Sequence, residues 1–61
     1  MKFIDVVENG TNVLKSIAVD KIKSLESLTY NNGTEVTVIL FTDNTEIHVN
    51  DSVNSIKTQL S

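Results

Sequence analysis

Apolar residues are densest between Thr34 and Leu60. Glu35 to Phe41 reads Glu-Val-Thr-Val-Ile-Leu-Phe, which in a strand puts Val36, Val38 and Leu40 on one face and Thr37, Ile39 and Phe41 on the other. Thr42-Asp43-Asn44-Thr45 is a turn signal. Residues 45–49 follow as a strand, with Ile47 and Val49 on one face and Glu46 and His48 on the other. Val53, Ile56 and Leu60 then recur at i, i+3 and i+7, the stripe of an amphipathic helix over 51–60 that Asn50 or Asp51 would cap. So short a helix does not stand alone, and its stripe must pack on the sheet.

The preceding half completes that sheet. Residues 2–8 form a strand candidate that stops at Asn9-Gly10, a dipeptide suited to positive φ. Residues 12–19 form the next, with Val13, Ile17 and Val19 sharing a face that Lys15 interrupts. Phe3–Glu8 against Asn12–Val19 therefore reads as a hairpin. Between Asp20 and Tyr30 two readings compete. Ile22, Leu25 and Leu28 recur every third residue and Asp20 suits a cap, which fits a helix over Asp20–Leu28. The segment is short and bracketed by strand-like runs, so we prefer one helical turn near Asp20–Ile22 and a strand over 24–30. Asn31-Asn32-Gly33 is a second turn. The expected fold is mainly β (α+β): a four- to five-stranded antiparallel sheet or small half-barrel with a short C-terminal helix, as one domain over 1–61.

The strand over 35–41 is apolar on both faces, as strands covered on both sides are. The helix can cover one face, and nothing else in the chain can cover the other. A second copy can, which predicts a homodimer or higher oligomer. Ile39, Phe41, Tyr30 and Val6 are the candidate interface residues.

Composition narrows the function. A chain of 61 residues has a marginal core and often needs a disulfide, a metal or a partner subunit. It has no cysteine, so disulfides and thiol chemistry are excluded, and one histidine, His48, does not make a zinc site. The turn around Asp43 lacks the acid spacing of a calcium loop. The net charge is −3, with eight acids, five lysines and no arginine. That balance argues against nucleic acid, which is held largely through basic phosphate contacts, and against an anionic membrane. No apolar run is long enough to span a bilayer, and Met-Lys-Phe-Ile-Asp-Val-Val-Glu does not read as a signal peptide, so a cytoplasmic location is expected.

Two sets of residues remain as candidate chemistry. His48 titrates nearest neutrality, with Glu46 two positions away and Glu35 or Thr37 across the hairpin. No serine stands in a nucleophile context, so a solvent-facing histidine beside a glutamate is the plainer reading. Lys15, Lys21 and Lys23 are a modest basic set that, gathered on one face with His48, would hold a nucleotide or other anion. Only two glycines exist and both sit in turns, so there is no phosphate-binding loop and no cofactor is expected.

Val19-Asp20-Lys21-Ile22-Lys23-Ser24-Leu25-Glu26 resembles the Ala-Asp-Leu-Ile-Glu-x-Ile-Glu stretch of the short FlbD-type flagellar-operon proteins. Phe41 to Ile56 is similar to their turn, strand and Glu-Ser-Val-Glu-Glu-Val helix start, and small uncharacterised phage proteins look alike too. The chain departs from that family in carrying Asn44 where its turn has glycine and in a longer second segment. The resemblance implies a fold and no catalytic motif. The expected function is a non-catalytic, oligomeric protein-interaction module, such as a phage-encoded inhibitor of a host protein or a motility-operon adaptor. The alternative is a small-ligand binder with a nucleotide or anion at a subunit interface. An RNA-binding translational regulator, similar in architecture to the CsrA-type dimers, lacks their basic edges here.

Overall fold

A computed structural model of the protein describes residues 2–61. Five strands and a helix run in order: β1 (Phe3–Val7), β2 (Leu14–Ala18), β3 (Ile22–Thr29), β4 (Glu35–Phe41), β5 (Glu46–Val49) and α1 (Val53–Leu60). One 3-10 turn, Val19–Lys21, joins β2 to β3, so the segment after Asp20 is strand rather than helix. The every-third-residue spacing of Ile22, Leu25 and Leu28 loses to pairing. Ser24–Thr29 pairs residue for residue with Leu40–Glu35, after a bulge between Ile22 and Ser24.

The strands make two antiparallel sheets, β1-β2 and β3-β4-β5, in an open arrangement that does not close into a barrel. Ile4 faces Ile17 across the hairpin, and Ile39 stands between Leu25 and Ile47 in the three-stranded sheet. Two of the connections are built alike. Gly33 (φ 88°) and Asn44 (φ 71°) take the left-handed third position of three-residue turns. Tyr30 and Phe41 close these turns through N–H bonds to the Thr34 and Thr45 carbonyls, both at 2.8 Å. The Asn32 and Asp43 side chains accept the N–H of Thr34 and Thr45 at 2.9 and 3.0 Å. In the first hairpin the left-handed residues are Gly10 (φ 100°) and Asn12 (φ 57°) rather than Asn9, which makes a longer connection.

The core gathers side chains from β1, β2, β4, β5 and α1, where Ile4, Val6, Ile17, Ile39, Val49 and Ile56 cluster. Ile56 comes from α1, and Leu60 packs against the same cluster. Burying one such side chain stabilises by roughly 1.5–3 kcal/mol, a large share of what so small a domain has. Ser52, not Asn50 or Asp51, is the helix cap, its Oγ accepting from Ser55 N–H at 3.1 Å. Asp51 is committed elsewhere. Its carboxylate accepts the Val7 N–H at 2.7 Å.

That bond belongs to a seam. The second edge of β1 meets no full strand. Asn9 N–H bonds to the His48 carbonyl and Asn50 N–H to the Val7 carbonyl, at 2.9 and 2.8 Å. Beyond them α1 supplies the partners. The Gln59 carboxamide accepts the Asp5 N–H and donates to the Asp5 carbonyl, both at 2.9 Å, as a strand backbone would. Side chains of Asp51 and Gln59 thus satisfy polar groups that a missing strand would have taken.

This arrangement corrects the expected interface. The Thr37, Ile39 and Phe41 face of β4 points inward, where Ile39 packs with Ile4, Val6 and Ile17 of the β1-β2 hairpin and with Ile56 of α1. Ile39 and Val6 are fully buried inside the protomer, and Phe41 packs against the core. Neither Ile39 nor Val6 can meet a partner while this fold persists. The uncovered face is the opposite one.

Candidate functional site

The outer face of β3-β4-β5 follows from strand alternation and register. Ser24, Leu40 and Glu46 form one cross-strand row, and Glu26, Val38 and His48 form the next. Leu28 lies beside Val36 in the third. Val38 and Leu40 are half-buried and Leu28 is 40% exposed. The first two rows enclose a shallow groove of about 210 Å³ lined by Ser24, Glu26, Val38, Leu40 and Glu46. Its floor is aliphatic, and a carboxylate stands on each flanking strand.

One end of this face is held by a side-chain chain. The Tyr30 hydroxyl lies 2.5 Å from His48 Nδ1, and His48 Nε2 is 3.1 Å from Glu46 Oε2. With its proton on Nε2, His48 donates to Glu46 and accepts from Tyr30. Asn9 Nδ2 donates to the same tyrosine oxygen at 3.4 Å. Tyr30 therefore reaches from the end of β3 across β4 to β5, and touches the β1-β2 connection as well. Val36, on β4 between them, is only 2% exposed although it stands outside the main core cluster. Both histidine nitrogens are engaged, so this geometry fixes the orientation of the ring. Tyr30 is a clamp for the sheet seam, its hydroxyl held between His48 and Asn9.

The lysines are not gathered. Lys15 lies opposite Val6 and forms an ion pair with Glu8 at 3.2 Å. The Thr11 hydroxyl and Lys15 hold the Glu8 carboxyl below its ordinary range. Lys21 and Lys23 lie past the other end of β2, around the start of β3. None of the three lines the groove, and none lines a second cleft of about 290 Å³ beside the start of α1. That cleft carries Glu35 and Asp51 and is no place for an anion. Among the described residues no group of three or more metal-ligating side chains converges, and no helix is long and apolar enough to cross a membrane.

Reading the sequence missed the groove for a definable reason. Val38 and Leu40 were visible on one face of their strand, but only the register places Glu26 and Glu46 diagonally across them. The chain matches no family model, no curated protein and no solved structure.

Proposed function

We propose that the protein is a non-catalytic protein-interaction module that works through the outer face of β3-β4-β5. One observation carries the reading: Leu28, Val38 and Leu40 form an apolar strip on the face that α1 leaves uncovered. A run of half-buried and exposed aliphatic side chains left open on one face suits a partner. An adaptor in a motility operon and a phage-encoded inhibitor both fall within this class. A second copy of the chain is the other occupant of the same face, in keeping with the oligomer expected from the two-faced strand.

The test pairs wild type with Val38→Thr/Leu40→Gln, whose changes lie outside the core cluster. Affinity capture from the source cell's lysate should return a stoichiometric partner with wild type and lose it with the variant, with circular dichroism unchanged. Native mass spectrometry of both proteins reads self-association in parallel. A monomer that captures nothing, or a partner retained by the variant, overturns the reading.

A further inference from the structure

We infer that the segment received by the outer groove is cationic: an extended stretch with lysine or arginine at every second position, so that the cationic side chains share the face laid on the groove. The inference rests on the docking reading above and adds the partner's chemistry. Val38 and Leu40 give a floor for the methylene stems of long side chains, which bury their stems while keeping the charged head in water. Glu26 on β3 and Glu46 on β5 flank that floor. Glu26 has no ion-pair partner among the described residues, and Glu46 is oriented by His48 Nε2 at 3.1 Å. No lysine of the chain lines the groove to neutralise them.

The spacing fits an extended ligand. Two strand separations and two residues of rise put the Glu26 and Glu46 backbones roughly 12 Å apart. Residues i and i+4 of an extended segment are about 13 Å apart, so two cationic side chains on one face can meet both carboxylates. β3 is also the outer strand of its sheet, so a segment crossing the groove meets no further strand on that side. The chain's net charge of −3 favours approach of such a partner and disfavours an acidic one.

The experiment titrates the full ¹⁵N-labelled chain with an N-acetylated, C-amidated peptide of alternating lysine and valine, seven residues long, and with its glutamate counterpart. Amide shifts caused by the lysine peptide should centre on Ser24, Glu26, Val38, Leu40 and Glu46. Glu26→Gln/Glu46→Gln should weaken binding about fivefold or more, as loss of two part-exposed ion pairs implies. Asp20→Asn/Glu35→Gln, which removes two exposed acids outside the groove, should leave the affinity unchanged. Glu26→Gln alone serves if the change at Glu46 disturbs His48, and it should weaken binding by a smaller factor. No binding, equal binding of the glutamate peptide, shifts centred elsewhere, or full affinity in the groove variants overturns the inference. If peptide binding fails while the lysate partner still depends on Val38 and Leu40, the docking reading stands and the cationic assignment falls.

Discussion

The hydroxyl of Tyr30, the residue that follows β3, lies 2.5 Å from Nδ1 of His48 on β5, with β4 between them. The same oxygen takes a bond from Asn9 in the β1-β2 connection, and Asn9 N–H bonds to the His48 carbonyl. One hydroxyl therefore links both sheets. Tyr30→Phe should destabilise the protein by about 1–2 kcal/mol, since it leaves His48 Nδ1 and the Asn9 side-chain amide short of a partner. Urea unfolding followed by circular dichroism measures it, and exchange of the Asn9 backbone N–H, bonded to the His48 carbonyl, should quicken as the seam loosens.

Gln59 and Asp5 provide a second test of the seam. Gln59→Glu keeps an acceptor for the Asp5 N–H but replaces the donor to the Asp5 carbonyl with a second acceptor. We expect a loss of roughly 1–2 kcal/mol and faster exchange of the Asp5 amide. Exchange at Asp5 unchanged from wild type would show that the helix does not stand in for a strand.

The two faces of β4 should respond very differently. Ile39→Ala removes a fully buried side chain and should cost about 2–5 kcal/mol, most of the stability of a domain of this size. Val38→Thr, on the outer face, should cost well under half as much. Thermal unfolding of the two variants side by side decides which face is core.

The turn positions should tolerate glycine and resist other residues. Gly33→Ala meets no atom within 4 Å, so its cost comes from φ alone and should be roughly 1–2 kcal/mol. Asn44→Gly should be near neutral, because asparagine already tolerates the left-handed region that glycine enters freely. Equal losses at the two sites would mean that the turns are not equivalent.

Acid should weaken the protein through Glu8 and Asp43. Thr11 and Lys15 lower the pKa of Glu8 from its ordinary 4.5, and Thr45 lowers that of Asp43 from 3.8. A carboxyl whose folded pKa is depressed contributes stability that is fully present above its unfolded value and is lost as pH falls through its folded value. Stability should therefore decline below about pH 4.5, and Glu8→Gln should flatten the upper part of that decline. Urea midpoints taken from pH 6 to pH 3 on both proteins check it.

Local chemistry in the chain already determined most of the elements, the segment after Asp20 excepted, where pairing with β4 decided for strand. Period-two alternation from Glu35 to Val49 and the stripe of Val53, Ile56 and Leu60 specify strands and a helix, because those periods decide which side chains share a face. Asn-Gly and Asp-Asn runs mark the turns because few residues accept positive φ. Tertiary structure alone decided which apolar face of β4 turns inward. Both faces were apolar, and only the packing of α1 with Ile4 and Val6 chooses the side carrying Ile39. Tertiary structure also set the register that puts Glu26 and Glu46 around Val38 and Leu40, brought Tyr30 to His48, and kept Lys15 apart from Lys21 and Lys23. Those relations join residues far apart in the chain, and sequence spacing carries no information about distances that pairing creates.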